Sequence, residues 1–508
     1  MRRLGLVGKY VAVNLLEMAQ ATEAAQAKSV KGLTMQTWIL AETQGANFGD
    51  ERLNRRYAVI LDRLSSKPSL SIPAACEGWS EAQAAYRFFA NEKTTPEKIL
   101  QPHYDATLQR IQAQRIVIIA QDTTEGDLTR AEEKVGGPLN GSERWGVYVH
   151  PLLAMTPQRV PLGVVSARMW SRDLEDLQKS GAERRYDRRH QPIEEKESYR
   201  WLEGYEKACV VAAEAPNTQV IAVSDSEGDI YECLQAGSQE GPRAEWIVRG
   251  CQDRALEEEE KNLLDTLACR AVLGKLKIRV SKRAVSTGDE TKKRKQPRDG
   301  RLAQVTIRSA RVLLHPPQRV GGKLAPIYVN AVLVREEKPP QGQEPIEWLL
   351  LTSLPIETFD EASMVIDYYS CRWEIEVFFR VLKSGCEVEE LQFEHEDRLE
   401  VCLAMYLIVA WRVLYVLMMG RECPKLSCEA VFSEAEWKSA YVIGRKKPAP
   451  ATPPLLGEMV RWIAELGGYL GRKGDGPPGP QTMWIGLQRT RDFAIAWCAF
   501  GPTARTCV

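Results

Sequence analysis

The sequence predicts an α/β protein whose sheet-containing middle region is flanked by helical regions. Two continuous apolar runs rich in β-branched residues, at 116–120 and 220–224, are typical of strands buried on both faces of a sheet. Residues 244–355 hold five further strand-like runs, which predict a β-rich insertion. Apolar residues recur with helical spacing before residue 110 and after residue 362. The chain is therefore expected to place one large sheet between two helical regions.

These patterns divide the 508 residues into four segments. Residues 1–35 form an Ala- and Gln-rich extension, and Met35 at its end is an alternative start of translation. Residues 36–105 form a helical domain, 106–400 an α/β domain with the β-rich insertion at 244–355, and 401–508 a helical C-terminal region. Within the α/β domain, further strands are expected at 147–155 and 160–169 and a helix at 194–213.

Composition narrows the function classes. Lys plus Arg and Asp plus Glu both number 68, so the chain has no net charge. A polyanion could therefore bind only to a face on which positive charge is concentrated. The 12 Cys are scattered and the five His form no zinc-binding pattern, which argues against a disulfide scaffold and a zinc hydrolase. No run approaches 18 apolar residues, so no membrane span is expected. Reduced thiols and a cytoplasmic location fit this composition.

Two acidic residues follow the two buried strands. Asp122 comes directly after the run at 116–120, and Asp225 directly after the run at 220–224. In α/β domains, ligands bind at the carboxyl ends of strands, where the loops converge. An Asp in this position can also simply cap the next turn. Two such residues in the same context make a shared site the stronger hypothesis.

A helix predicted from residue 362 onwards carries a charged stripe. At about 100° per residue, Tyr369, Arg372, Glu376 and Lys383 fall within about 60° of one another, with Arg380 beside them. A bland explanation is a row of i,i+4 ion pairs around Glu376. The excess of cations, however, suits an acidic polymer passing over this face, and a metal ion at Glu376 fits the same pattern.

Positive charge also concentrates in two other places. From 281 to 311 a predicted loop within the insertion carries ten Lys or Arg against three Asp or Glu. Its structural alternative is a solvated, disordered loop. The first helices of the chain carry basic residues on an outer face, among them Arg52, Arg55, Arg56 and Arg87.

The stripe and the strand-end residues carry a resemblance to a known family. The spacing Tyr369-x2-Arg372-x3-Glu376-x6-Lys383 resembles the YREK signature of the insertion-sequence-four family of bacterial cut-and-paste transposases. Asp122-Thr123-Thr124 is similar to the family's first catalytic Asp motif, and 225–230 to its second. The collinear similarity covers about 38–500 and includes 48–52, 85–89, 348–352 and 463–468.

The resemblance implies an RNase H-like catalytic core in 106–400, a DNA-binding domain at 36–105 and a dimerisation region in 401–508. In such a core, Asp122, Asp225 and Glu376 would hold two Mg²⁺ ions, for which Mn²⁺ can substitute, since hard cations prefer carboxylate oxygens. The fold would have to bring the three carboxylates together from distant segments of the chain.

The resemblance also implies DNA contacts. Trp348 would stack on a base flipped out of the transposon end, although without the resemblance it is better explained as a core Trp beside an apolar strand. Phosphate contacts are implied for Tyr369, Arg372, Lys383, Arg380 and Arg249. Contacts with the transposon end are implied for Arg52, Arg55, Arg56 and Arg87.

The implied function is cut-and-paste transposition. A homodimer would cleave double-stranded DNA at the terminal inverted repeats through a hairpin intermediate and join the ends to target DNA, in the bacterial cytoplasm in association with the nucleoid. Three alternatives stay open. A non-catalytic DNA-binding inhibitor would share the fold but not need the three carboxylates. A hydrolytic nuclease would not need the YREK stripe, and a protein-only scaffold would need neither.

Overall fold

The computed structural model describes residues 35–501 apart from 77, 130–133, 141–142, 176–181, 184–185, 187–189, 240, 281–299 and 319–323. The predicted extension at 1–35, except Met35, and most of the predicted basic loop therefore lie outside the described residues. The expected strands and helices of the α/β domain are confirmed, with boundaries shifted by a few residues. The α/β class is confirmed.

The chain begins with a group of helices that share one core. Asp50 caps α2, its side chain accepting a hydrogen bond from the Arg52 backbone N–H. Phe48 packs edge-to-face on Tyr57 and Phe88, which joins the loop before α2 to α2 and α4. The helices are α1 (Thr37–Thr43), α2 (Glu51–Ser66), α3 (Ile72–Ala75), α4 (Trp79–Phe89) and α5 (Pro96–Gln112).

The described residues form one eleven-stranded sheet. At its centre, β1 (Ile116–Gln121) pairs in parallel with β6 (Gln219–Ser224), and β6 with β7 (Glu245–Gly250). On its other side, β1 is antiparallel to β4 (Trp145–Met155), which is antiparallel to β5 (Pro161–Trp170). The short strands β2 (Thr124–Asp127) and β3 (Gly137–Pro138) also pair with β4.

The β-rich insertion extends this sheet from β7. Its strands are β8 (Gly274–Val280), β9 (Arg301–Leu314), β10 (Ile327–Arg335) and β11 (Glu347–Thr352), in the order β7-β11-β10-β9-β8. One of the five expected strands of the insertion is confirmed as β9, and because β9 starts at Arg301 the basic segment 281–311 ends inside this strand, where apolar residues alternate towards the core. A helix that the sequence analysis did not predict, α8 (Leu263–Cys269), packs on β9 and β10.

Two apolar cores lie on opposite faces of the sheet, as strand alternation requires. Ile118, Ala120, Ile221 and Val223 belong to the first core, together with the helices that come after the sheet. The residues between them in sequence belong to the second core, which α6 (Tyr199–Glu214) and α7 (Tyr231–Gly237) cover. This division decides which side of the sheet each strand-end side chain faces.

The predicted helix from 362 through 383 is not continuous, which corrects the helical-stripe argument. A capping box formed by Thr358 and Glu361 starts α9 (Phe359–Ser370). The chain turns at Cys371 and Arg372, resumes as α10 (Trp373–Arg380), and then widens into a π-helical turn at Val381–Gly385. The wider π-helical turn changes the angle between successive residues, so a wheel of 100° per residue does not fix the position of Lys383.

The remaining helices close the first core. The longest is α11 (Glu396–Glu422), which crosses the expected domain boundary at 400/401. Its length and apolar composition would suffice for a membrane span, yet 89% of its most apolar window is buried within the protein, as in a core helix. It is followed by α12 (Glu434–Arg445), α13 (Leu456–Leu466) and α14 (Pro480–Phe500), the last of which the sequence analysis did not predict.

Candidate active site

The two strand-end aspartates lie side by side at one edge of the sheet. Ala120 of β1 is paired with Val223 of β6 in parallel register, and Asp122 and Asp225 each follow two residues later. One oxygen of each carboxylate makes a local bond of 2.8 Å, Asp122 Oδ1 with the Thr123 N–H and Asp225 Oδ1 with the Glu227 N–H. Asp225 thus caps the short 3-10 helix Ser226–Gly228. The capping explanation is correct for Asp225, and it does not exclude a shared site.

Arg372 connects Asp122 to the third predicted carboxylate. Its Nη1 donates to Asp122 Oδ2 at 2.6 Å and lies 3.6 Å from Glu376 Oε1. Only 6% of the Arg372 side chain is exposed, whereas Glu376 is half-exposed. The Arg372 guanidinium also lies over the Trp373 ring, 5.0 Å from its centroid. The turn between α9 and α10 therefore places Arg372 between two carboxylates that are distant in sequence.

Burial and the negative charges of neighbouring carboxylates raise the pKa of Asp122 in this cluster. Burial, together with the charges of Asp225 and Glu376, raises the pKa of Asp122 to about 7, although the charge of Arg372 lowers it. Burial disfavours the charged form of Arg372, yet the surrounding Asp122, Tyr369, Asp225 and Glu376 raise its pKa above the ordinary value. A cation brought to this edge would relieve the repulsion among the carboxylates.

The donor chemistry of the cluster fits divalent metal ions. Asp122, Asp225 and Glu376 supply the carboxylate oxygens that hard cations prefer, and the charges of Asp225 and Glu376 both raise the pKa of Asp122. Among the described residues, however, no group of three or more His, Cys, Asp or Glu side chains is assembled closely enough to hold a metal ion. Arg372 Nη1 stands between Asp122 and Glu376, so a metal ion would have to take over its place there.

An aromatic pair lies beside this cluster. The rings of Trp348 on β11 and Tyr369 on α9 meet edge-to-face with 6.0 Å between centroids. Tyr369 is buried; burial raises its pKa, and the nearby charges of Arg372 and Arg249 oppose that rise. Arg249 of β7 is paired with Leu350 of β11, so its side chain shares a sheet face with that of Trp348. The structure thus brings Tyr369, Arg372, Arg249 and Trp348 together.

Lys383 and Arg380 lie beyond Glu376 in sequence, Arg380 in the last turn of α10 and Lys383 in the π-helical turn that follows. Lys383, in the π-helical turn, is 3.3 Å from Glu389 Oε1, and the same oxygen accepts a hydrogen bond from the Asp127 N–H at 3.0 Å. Lys383 therefore borders β2, the strand that follows Asp122. Arg380 is exposed in the last turn of α10. Lys383 is thus paired with Glu389, whereas Arg380 lies one turn after Glu376 on the same unbroken helix.

The four basic candidates of the N-terminal helices all lie on α2 and α4. Arg52 is paired with Asp50 at 2.8 Å, and Arg55 lies 4.0 Å from Glu51. Arg56 forms a 2.6 Å ion pair with Glu81 that links α2 to α4. Arg87 is exposed and donates to the Gln83 carbonyl. Arg52, Arg55 and Arg87 thus point outward, while Arg56 also has a structural role.

The sequence analysis missed several polar residues next to the strand ends. Arg200 at the start of α6 donates to Thr123 Oγ1 at 2.9 Å and contacts Glu227 Oε2 at 2.8 Å. Arg159, in the turn between β4 and β5, lies 3.4 Å from Glu374 on α10. No spacing or composition signal singles out either Arg, since both are isolated in sequence and become significant only through long-range contacts.

Comparison with known families identifies the protein's class. Residues 35–94 match the family described as Transposase DNA-binding, residues 177–412 the Transposase DDE domain, and residues 408–498 the Transposase Tn5 dimerisation domain. The chain belongs to the Tn5-like DDE transposases. The insertion-sequence-four family is consistent with this membership, and the expected RNase H-like core is confirmed.

The matches also establish what kind of protein this transposase is. It is a DNA transposase that cuts DNA and performs transesterification, it binds DNA, and it forms homodimers. DDE transposases generally use divalent metal ions. Asp225 and Glu376 lie within the DDE match, while Asp122 lies between the first and second matched segments.

A solved structure gives a more distant likeness. The chain is similar to one described as the cryo-EM structure of a piggyBac transposase synaptic complex with hairpin DNA. The two chains are 9% identical with a TM-score of 0.34, over 83% of this chain and 75% of the other. This likeness is too low to support a functional argument.

Proposed function

We propose that this transposase excises an insertion sequence by cleaving both ends through hairpin intermediates and inserts it into target DNA with Mg²⁺. The observation that supports this most directly is the convergence of Asp122 and Asp225 at neighbouring parallel strand ends, with Glu376 tied to Asp122 through Arg372. Three carboxylates from distant segments are thus linked to one edge of the sheet, within a transposase fold.

The three carboxylates are proposed to hold two Mg²⁺ ions, with Mn²⁺ as a substitute. When bound, the ions would activate the attacking oxygen and stabilise the leaving oxygen of an in-line displacement at phosphorus. Each step forms one P–O bond and breaks another. Water attacks first and releases a 3′-hydroxyl, which then attacks the opposite strand to close the hairpin. Hydrolysis reopens the hairpin, and the 3′-hydroxyl finally attacks target DNA.

Arg372 is the residue best placed to hold the DNA backbone at this point. Its Nε is buried and has no hydrogen-bond partner within the part of the chain that the structure describes. A buried donor without a partner costs free energy, and a phosphate oxygen would satisfy it while its charge compensates the guanidinium. Tyr369 and Arg249 lie beside it, and Lys383 and Arg380 are proposed to contact the backbone further along.

Trp348 is proposed to stack on a base flipped from the closing hairpin. It is half-buried, and its edge-to-face contact with Tyr369 holds the ring in a fixed orientation beside Arg372. An aromatic face offsets the stacking that a flipped base loses. The core-Trp alternative also has support, because Trp348 packs against the first apolar core.

The substrates and the setting are proposed from the family and the surface charges. The N-terminal helices, with Arg52, Arg55, Arg56 and Arg87, are proposed to bind the terminal inverted repeats. A homodimer would hold two ends at once and deliver them to target DNA. The reaction is proposed to take place in the bacterial cytoplasm, in association with the nucleoid.

The test is a gel assay with labelled duplex that carries the element's own end. Purified protein is incubated with Mg²⁺, and nicked, hairpin and joined products are separated. Glu376→Gln removes one charge from the half-exposed carboxylate near Arg372. Glu374→Gln is the matched control, because it lies two residues away on α10 and contacts Arg159 instead. Each variant's DNA affinity is measured by gel shift.

Hairpin formation is expected with the wild type and with Glu374→Gln. Glu376→Gln is expected to bind DNA normally and give no product. Binding without cleavage by the wild type, in Mg²⁺ and in Mn²⁺, would favour the DNA-binding inhibitor instead. Nicking without hairpins would favour a hydrolytic nuclease.

A further inference from the structure

A polar network, buried at Arg200 and His150 and exposed at Glu227, lies behind the two strand-end aspartates, on the opposite face of the sheet. Asp122 faces α9 and α10, as its contact with Arg372 shows. The neighbouring Thr123 side chain faces the other way, towards α6. Because adjacent residues of an extended chain point to opposite faces, any group that holds Thr123 acts on the Asp122 backbone from the rear.

Arg200 is the centre of this network. Its Nε donates to Thr123 Oγ1 at 2.9 Å, its Nη2 to Glu227 Oε2 at 2.8 Å, and its Nη1 to the Glu197 carbonyl at 2.9 Å. The guanidinium lies 5.5 Å from the centroid of Trp201, and 11% of the side chain is exposed. A planar guanidinium fixed at all three nitrogens is a rigid connector.

Two branches of hydrogen bonds lead from Arg200, one through Thr123 to the loop that holds Asp122 and the other through Glu227 to the loop that holds Asp225. Thr123 is bonded to Asp122 as its sequence neighbour, and its backbone N–H donates to the Asp122 carboxylate. The Glu227 backbone N–H donates a hydrogen bond to the Asp225 carboxylate, and the Glu227 carboxylate accepts one from Arg200. One guanidinium therefore connects the residues whose N–H groups orient Asp122 and Asp225.

The branch through Thr123 continues to two buried side chains, His150 and Gln121. Thr123 Oγ1 lies 2.8 Å from His150 Nδ1, and His150 Nε2 lies 3.2 Å from Gln121 Oε1. The amide oxygen only accepts, so Nε2 carries the proton, and Nδ1 of the neutral ring accepts from the Thr123 hydroxyl. Burial holds the ring neutral by lowering the His150 pKa to about 3. Arg200, Thr123, His150 and Gln121 form a chain in which each donates to the next.

We infer that Arg200 is a positioning residue that sets the separation of Asp122 and Asp225 for binding divalent metal ions. This inference rests on the proposed function. Arg200 lies on the face of the sheet opposite Arg372 and is largely buried, so it acts through Thr123 and Glu227 and does not itself contact the carboxylates. A connector of this kind resembles the outer partners of metal sites, whose loss weakens metal binding by about 10- to 100-fold.

The test measures metal binding separately from chemistry. Mn²⁺ is titrated into the protein bound to a pre-cleaved transposon end, and the free ion is followed by electron paramagnetic resonance. The variants are Arg200→Ala and Arg200→Lys. The control is Arg168→Ala, because Arg168 and Arg200 both lie 5.7 Å from the Trp170 centroid, but Arg168 is paired with Glu203 and touches neither loop.

Arg200→Ala is expected to raise the Mn²⁺ dissociation constant about 10-fold and to change DNA affinity less than twofold. Arg200→Lys is expected to restore part of the affinity, since an ammonium group can serve one branch at a time. Thr123→Val and Glu227→Gln each remove one branch and should each give a smaller rise. These two variants decide the matter if Arg200→Ala does not fold.

Unchanged Mn²⁺ affinity in Thr123→Val, Glu227→Gln and any folded Arg200 variant would overturn the inference. A fall in DNA affinity with Mn²⁺ affinity unchanged would instead make Arg200 a DNA contact. If the wild type itself neither binds Mn²⁺ nor cleaves, the proposed function fails. The Arg200 inference alone fails when the wild type is active and the variants bind metal as it does.

Discussion

The guanidinium of Arg372 and the carboxylate of Asp122 form a buried ion pair of 2.6 Å across 250 residues of sequence. Arg372 lies in the two-residue turn between α9, which ends at Ser370, and α10, which begins at Trp373, and its backbone keeps right-handed helical dihedrals there. Its side chain therefore stays one turn from Glu376, which is half-exposed on α10. The ion pair joins the YREK segment to the first strand-end aspartate.

Replacing Arg372 should abolish cleavage with little loss of DNA binding. In Arg372→Gln the Asp122 carboxylate loses its buried partner, and the free energy of unfolding should fall by about 1–3 kcal/mol at neutral pH. Cleavage is measured on labelled ends and stability by urea denaturation. Arg159→Gln is the control, because Arg159 pairs with Glu374 on the same helix and should leave cleavage intact. Wild-type cleavage by Arg372→Gln would contradict the role assigned to this side chain.

Truncating Trp348 should affect hairpin closure more than the first nick. Stacking of a base on an aromatic ring is worth about 1–3 kcal/mol, so Trp348→Ala should slow hairpin formation about 10- to 100-fold. Trp348→Phe keeps an aromatic face and should lose much less. The two products are quantified in a time course on one gel. Equal loss of nicking and hairpins, with a lowered Tm, would show that Trp348 acts only through its packing.

Acid should destabilise the protein through the buried cluster of Glu42, His103 and Arg110. Burial opposes the ionisation of Glu42, but Arg110, 2.6 Å away, lowers the pKa of Glu42 to about 2. In the unfolded chain the pKa of this carboxyl group is about 4.3. The ionised Glu42 therefore stabilises the fold above that pH, and this stabilisation is lost as the pH falls below it. Burial also lowers the pKa of His103. As the pH falls below about 6.5, this imidazole is protonated in the unfolded chain before it is protonated in the folded protein, which favours unfolding. Both effects reduce stability towards low pH.

Urea denaturation at pH 7, 5 and 4 tests this dependence. Glu42→Gln should be less stable at pH 7 by about 3 kcal/mol, because it leaves Arg110 buried without its carboxylate, and its stability should change less between pH 5 and 4. Glu81→Gln removes a half-exposed carboxylate paired with Arg56 and should change little. A Glu42→Gln profile parallel to that of the wild type would refute the assignment.

Two helical glycines of the C-terminal region should respond oppositely to alanine. A Cβ at Gly486 of α14 would lie 1.9 Å from the Ile463 carbonyl oxygen of α13, so Gly486→Ala should cost about 1–3 kcal/mol. A Cβ at Gly444 of α12 would meet nothing within 4 Å, so Gly444→Ala should gain up to about 1 kcal/mol. Thermal unfolding of both variants gives the comparison, and a neutral Gly486→Ala would show that the helices can separate freely.

Local patterns were sufficient for most of the fold. Continuous apolar runs at 116–120 and 220–224 located β1 and β6, and five further strand-like runs located β7 to β11. Helix α14 was missed because its apolar residues lack a clear stripe and the preceding Gly- and Pro-rich stretch suggested a loop. Pro480 at its first turn is compatible with a helix start, where no backbone donor is required.

The site was predictable where residues repeat a motif and not where they meet only in three dimensions. Strand ends predicted Asp122 and Asp225, and a signature spacing predicted Arg372 and Glu376. The structure places these four residues at one edge of the sheet. For Lys383 a helical wheel is not sufficient, because the wheel assumes regular α-helical spacing and Lys383 lies in a π-helical turn. Arg200 and His150 gave no signal at all, since their partners Thr123 and Gln121 lie on other strands and loops.

Helix α11 has a consequence for how the protein unfolds. It packs against α2, α4 and α5 of the N-terminal region, β5 of the sheet, and α13 and α14 near the C-terminus. At 1.5 Å per residue its 27 residues span about 40 Å, and the Trp411 indole near its middle donates to the Pro161 carbonyl. No region that rests on this helix can lose its structure without exposing apolar surface of the others. The three family segments should therefore melt in a single cooperative transition, and a chain cut at residue 400 should not retain a stable catalytic core.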